Sequence, residues 1–160
     1  MATKPQAIVV SLRDVVQDDL PIFFEQQREP DANEMAAFAA RDWDAFMTHW
    51  RNVLRDEAKT VKTILLEGHV AGNIGCWERD KKHFVGYWIG KSYWGKGVAT
   101  LALAKFVQVV TSRPLYAYVA KRNIASIRVL EKCGFAICRE ETNACPAPSD
   151  GVEELVMKLG

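Results

Sequence analysis

A mixed α/β domain (α+β, one mixed sheet) is the fold class this sequence predicts. Short runs rich in β-branched and aromatic residues, bounded by turn residues, recur along the chain. Between them lie segments whose apolar residues repeat at helical spacing. The resulting order, β-α-α-β-β-β-α-β-α-β-β, requires a sheet with both parallel and antiparallel pairs. At 160 residues, 49% of them hydrophobic, the chain suffices for one domain with a core and is short for two. Residues 1–160 are therefore expected to form a single domain.

The run AIVVSLR (7–13) ends in charge and reads as the first strand. Val15, Leu20, Phe23 and Phe24 then suit an amphipathic helix, and Pro21, tolerable only in a first turn, sets its start near Asp18. REPDANEM breaks the pattern before a second helix from about Asp42 to Arg55, marked by Trp43, Phe46, Met47, Trp50 and Leu54. KTVKTILLEGHVAGNIGCWERD reads as a hairpin turning at Glu67-Gly68. HFVGYWIG is a further strand, in which Gly86 marks a bulge or a close approach. From Val98 to Thr111 nearly every face is apolar, so this helix is expected to be largely buried. PLYAYVA is a strand, NIASIRVLEKCG a helix stopped by Gly134, and FAICREET and GVEELVMKL are closing strands.

A net charge of +1 gives no electrostatic case for nucleic acid or an anionic membrane as partner. Cys76, Cys133, Cys138 and Cys145 show neither a C-x-x-C pair nor the spacing of a zinc site, so reduced, mostly buried thiols are expected. The N-terminus lacks the pattern of a secretion signal, and no apolar run reaches the ~18 residues of a membrane span. A soluble, cytoplasmic protein is the expectation.

Two stretches compete as anion cradles. GYWIGKS (86–92) misses the P-loop pattern, because three residues rather than four separate its glycines, and it lies within a strand. WGKGVAT (94–100) instead lies between a strand and a helix start, where the first turn presents free N–H groups and a partial positive charge. Gly95 and Gly97 leave the backbone bare to an approaching anion, and Lys96 adds charge. An ordinary glycine turn explains the same letters, so the flanks decide.

Together, GYWIGKSYWGKGVATLAL and NIASIRVLEKCGF resemble the GNAT superfamily of acetyl-CoA-dependent N-acetyltransferases, and look most like its RimJ/RimL-type branch, the ribosomal-protein N-terminal acetyltransferases. The likeness is strongest over residues 69–138. The superfamily's pyrophosphate pattern falls on Trp94, Gly95, Lys96, Gly97, Val98 and Ala99, with Trp94 where Gln or Arg is usual. The resemblance implies that backbone N–H groups from Gly95 to Thr100 hold the coenzyme A pyrophosphate. It implies that the strand around Trp88, Ile89 and Gly90 pairs with the pantetheine arm where neighbouring strands splay apart. An N–H near Trp88 would stabilise the oxyanion of the tetrahedral intermediate. Asn123 and Ser126 would reach the pantetheine and the sulfur. Plainer readings stand beside these: Asn123 equally suits a helix N-cap, Ser126 a first turn, and Trp88 the core. Acetyl-CoA is the implied cosubstrate, with no metal, and the implied acceptor is a primary amine on a small molecule or a protein N-terminus. Dimers are common among relatives, which leaves a homodimer open.

Two positions depart from the superfamily. The usual glutamate base falls on Phe84 and the usual tyrosine acid on Leu130. Ser126 is then the remaining candidate to hydrogen-bond the leaving thiolate. Tyr116 and Tyr118 are candidates for pocket or core, as are Phe38 and Trp43. Glu25, Asp31 and Glu34 are candidates to meet an ammonium group. Loss of the acid and base also makes a non-catalytic acyl-CoA-binding module the competing function.

Overall fold

The computed structural model describes residues 8–36, 39–138 and 153–160. The chain runs β1 (Val10–Asp14), α1 (Leu20–Gln27), α2 (Pro30–Ala36), α3 (Trp43–Arg55), β2 (Thr60–Leu66), β3 (His69–Arg79) and β4 (Lys82–Ile89). It continues through α4 (Val98–Val109), β5 (Leu115–Ala120), α5 (Ile124–Lys132), β6 (Ala136–Ile137) and β7 (Glu154–Leu159). The described strands form one mixed sheet in the order β1-β2-β3-β4-β5-β7-β6. The expected class holds, with one helix added.

That helix is α2, where an interruption was expected. Pro30 occupies its first position, where a missing N–H costs nothing, and the Glu29 carbonyl accepts the Asn33 N–H at 3.0 Å. Pro21 sits in the first turn of α1, after a single 3-10 turn at Gln17–Asp19. Asp42 caps α3 by accepting the Ala45 N–H at 2.8 Å. The hairpin turns at Glu67 and Gly68, both at positive φ (49° and 83°), which suits the right-handed twist of its strands.

The sheet is sandwiched. On one face α4 and α5 set Val98, Ala102, Leu103, Phe106 and Leu130 against Ile64, Ile74, Val85, Leu115 and Met157. On the other, α1 and α3 contribute Leu20, Phe23, Phe46, Trp50 and Val53, with Val61 and Val70 packed against them. Asp19, 2% exposed, ties this second layer to the sheet. It accepts both guanidinium N–H groups of Arg13 from β1 (2.7 and 2.8 Å), the Thr63 hydroxyl from β2 (2.6 Å) and the Val16 N–H (3.0 Å).

The feature that positions the site is a parting of two strands. β4 pairs with β3 over its whole length, and β5 with β7 over its whole length. Between β4 and β5 the parallel ladder holds only at His83↔Leu115 and Phe84↔Tyr116. Beyond Phe84 the two strands diverge. Gly86 is not a bulge: its register with Gly75 is regular, and the Trp77 ring lies 3.0 Å from where a Cβ would stand. The irregularity falls instead between Ile64 and Leu65.

Cys76 and Cys133 are free thiols, as expected, whereas Cys138 is disulfide-bonded; Cys145 lies outside the described residues. The sequence shows no framework spacing around Cys138, so this bond was not expected. Among the described residues no helix is long and apolar enough to cross a membrane.

Candidate active site

A cavity of about 460 Å³ opens where β4 and β5 part, bounded by β4, the following loop, the first turn of α4, one side of α5 along its length, and α2. The glycines of WGKGVAT shape its floor. Gly95 and Gly97 have φ of 74° and 80°, the left-handed region that L side chains disfavour. Gly97 caps α4, and the first intrahelical bond runs from the Leu101 N–H to the Gly97 carbonyl at 3.1 Å. The N–H groups of Val98, Ala99 and Thr100 therefore have no acceptor within the helix. All three residues line the cavity, so the positive end of the helix faces it.

The end of β4 forms a second wall. Gly90 donates its N–H to the Ala71 carbonyl on β3 at 2.8 Å. Strand alternation then turns the backbone of Trp88 toward β3 as well, and that of Tyr87 and Ile89 toward the side β5 has left. The Trp94 indole N–H closes this corner by donating to the Ile89 carbonyl at 2.9 Å. Trp88 is anchored by its own indole N–H, donating to the Gln26 carbonyl of α1 at 3.0 Å.

α5 supplies the third wall. Asn123 is its N-cap, with its side-chain oxygen accepting the Ser126 N–H at 3.2 Å, so the plainer reading of Asn123 holds while the residue also lines the cavity. Ser126 Oγ lies 2.6 Å from the hydroxyl of Tyr87. Burial pushes the Tyr87 hydroxyl up to about 12, against the lowering effect of its bond to Ser126. Arg128 and Lys132, on the same helix, add positive charge to the lining. The fourth wall is α2, with Ala32, Met35 and Ala36.

Of the residues singled out from the sequence, Trp88, Ile89, Trp94, Gly95, Gly97, Val98, Ala99, Thr100, Asn123 and Ser126 meet at this cavity. Gly90 and Lys96 do not line it. Gly90 has turned to β3, and Lys96 extends over the Tyr93 ring, 5.9 Å from its centroid. Phe84 and Leu130 are 2% and 1% exposed, so both apolar departures are core residues. Tyr116 and Tyr118 pack on Phe84 with centroids 5.8 and 5.0 Å away, Tyr116 in the core and Tyr118 half-buried at its edge, neither in the cavity. Trp43 packs edge-on against Phe24 outside the cavity, and Phe38 lies outside the described residues.

The carboxylates expected to meet an ammonium group are also elsewhere. Lys91 bonds Asp31 and lies 3.5 Å from Glu29, while Glu25 pairs with Arg28. What α2 offers the cavity is its apolar side. Sequence reasoning missed Tyr87, Arg128 and Lys132. The signal for the last two was their helical spacing from Ala125. None linked Tyr87 to Ser126.

A family model, the acetyltransferase (GNAT) domain, matches residues 10–136. The chain belongs to this family. Among curated proteins none matches it. Solved structures of the GNAT fold do. Spermidine N-acetyltransferase from Vibrio cholerae, in complex with CoA and spermine, matches with a TM-score of 0.77 at 14% identity, over 94% of each chain. Mycobacterium smegmatis RimJ, in complex with CoA-disulfide, gives 0.71 at 22% identity, over 96% of this chain and 82% of its own. An aminoglycoside acetyltransferase in complex with coenzyme A gives 0.75 at 19% identity, over 94% of this chain and 95% of its own. The GNAT superfamily expected from the sequence is thus shown, and these neighbours single out no branch of it.

Proposed function

We propose that the protein transfers acetyl from acetyl-CoA to a primary amine by direct attack in a ternary complex. One observation carries this reading. The stretch of β4 that β5 leaves and the α4 N-terminus with its unclaimed N–H groups open into a single cavity. The residues present fit the cosubstrate: the first-turn N–H groups of α4, with Arg128 and Lys132, suit a pyrophosphate, and the outward backbone of Tyr87 and Ile89 suits the amides of a pantetheine arm. Bound acetyl-CoA supplies an activated acetyl thioester. The Ile89 N–H, rather than that of Trp88, faces the open side and is placed to stabilise charge developing on the thioester oxygen.

Deprotonation of the acceptor limits its identity. Among the described residues lining the cavity there is no carboxylate and no imidazole. On this reading the amine arrives neutral or loses its proton to water. At pH 7 this costs about 4.6 kcal/mol for a lysine-like amine of pKa ~10.4, but about 1.4 kcal/mol for an α-amine near ~8. An amine of low pKa, such as a protein N-terminus or an amino-acid-like small molecule, suits the site, and the apolar face of α2 suits an uncharged neighbouring group.

Acetylation rates on a short peptide with a free α-amine and on an N-blocked peptide with one lysine, followed from pH 6 to 9, test this. The α-amine is expected to react faster at neutral pH, with the gap closing as pH rises. Equal rates at pH 7 would refute the α-amine preference, and binding of acetyl-CoA without turnover on any amine would favour the non-catalytic module.

A further inference from the structure

Tyr87 brings to the cavity a half-buried hydroxyl that the reaction described above leaves unused. Its ring is set by β4, on the same face as Val85 and Ile89, which belong to the core beneath α4 and α5. Its oxygen lies 2.6 Å from Ser126 Oγ, where either atom is able to donate, and at a longer 3.5 Å from the Ser126 backbone carbonyl, which makes Oγ the nearer acceptor for the tyrosine proton. The two hydroxyls carry two protons, and one is used between them. Asn123 fixes the serine from the other side by accepting its backbone N–H at 3.2 Å. The Leu130 side chain, at the position where relatives place a tyrosine, is 1% exposed and has no proton to offer.

Resting on the acetyl-CoA reading, we propose that Tyr87 is a positioning residue: its hydroxyl donates to Ser126 Oγ and so turns the serine proton toward the thiol end of the coenzyme. An arm led from the α4 N-terminus back along the open side of β4 passes Ile89 and reaches Tyr87. As the amine nitrogen bonds to the acetyl carbon, the carbon–sulfur bond breaks and its electron pair passes to sulfur. Ser126 Oγ–H then donates a hydrogen bond to that thiolate, and the proton lost by nitrogen goes to water. Because burial keeps the Tyr87 hydroxyl protonated, the pair retains both protons across the neutral range. The other titratable groups lining the cavity are Tyr93, Arg128 and Lys132, with the Cys133 thiol nearby on α5's C-terminal side.

The test needs no acceptor. Coenzyme A bound to the protein is titrated through the ultraviolet absorbance of its thiolate, by difference against the ligand-free protein, for the wild type, Tyr87→Phe, Ser126→Ala and the double variant. Losing a hydrogen bond to the charged form is expected to raise the bound thiol's pKa by about one unit in each single variant. The double variant should match the singles, because both act through one proton. Coenzyme A affinity at neutral pH, where the thiol is protonated, should change little, which separates this role from mere support of the pocket. A bound-thiol pKa that is the same in wild type, Tyr87→Phe and Ser126→Ala overturns the proposal while leaving the acetyl-CoA reading intact. Failure of the wild type to bind coenzyme A overturns both.

Discussion

Replacing Gly97 with glutamate is expected to weaken coenzyme A binding by about a thousandfold. Among the described residues, chain neighbours aside, no atom lies within 4 Å of a Cβ added at Gly97, so steric conflict with the protein is not the reason. The φ of 80° makes any L residue there costly by about 1–2 kcal/mol, a cost paid in stability. The larger effect is electrostatic. A carboxylate roughly 4 Å from a bound pyrophosphate, at an effective dielectric of about 20, adds about 4 kcal/mol of repulsion, a factor of about a thousand. Gly97→Ala separates the two contributions, since it carries the backbone cost without the charge. Calorimetric titration of coenzyme A should show a small loss for alanine and a near-complete one for glutamate, with both variants still folding cooperatively. Equal affinities for the two would remove the pyrophosphate from the α4 N-terminus.

The largest effect on stability is expected at Asp19. Breaking a buried ion pair from one side costs about 3–5 kcal/mol, and the partly exposed Arg13 places Asp19→Ala near the lower figure, about 3 kcal/mol. Burial alone would raise the carboxyl's pKa, but the Arg13, Thr63 and Val16 donors outweigh it and hold Asp19 at about 2, below the ordinary 3.8. A carboxylate depressed in the folded state contributes stability in full above its unfolded pKa. That contribution fades as pH falls from about 4 toward 2, and amounts to about 2 kcal/mol. Denaturant unfolding of the wild type and Asp19→Ala should therefore differ most at neutral pH and converge in acid. A gap that stays constant from pH 7 to 2 would contradict the charge-based account.

The sequence carried most of the fold because its strong patterns are local. The hairpin turn at Glu67-Gly68, the apolar α4 and the Gly134 stop each depend on a few neighbouring residues, and the structure has all three, although α4 ends at Val109 and buries one side only, with Leu101 and Val109 exposed. α2 escaped because seven residues give too few turns for a periodic signal, and Pro30 reads as a breaker until its place at the first position is known. The glycine loop on the cavity floor was legible for the same local reason. The α2 wall was not: Asp31 and Glu34 advertise charge in the sequence, while the cavity takes Ala32, Met35 and Ala36 from the same helix. Which side of a short helix meets a cavity depends on what packs beneath it. Tyr87 and Ser126 are 39 residues apart, and their bond exists because β4 and α5 are brought together by the whole sheet.

The central claim is that one cavity, made where β4 and β5 part, holds the coenzyme with its pyrophosphate on α4. A crystal structure with acetyl-CoA tests it most directly. The account predicts pyrophosphate oxygens on the N–H groups of the α4 first turn and the pantetheine arm between β4 and β5, beside Tyr87 and Ser126. Coenzyme density elsewhere on the protein, with the gap between β4 and β5 left empty, would contradict it.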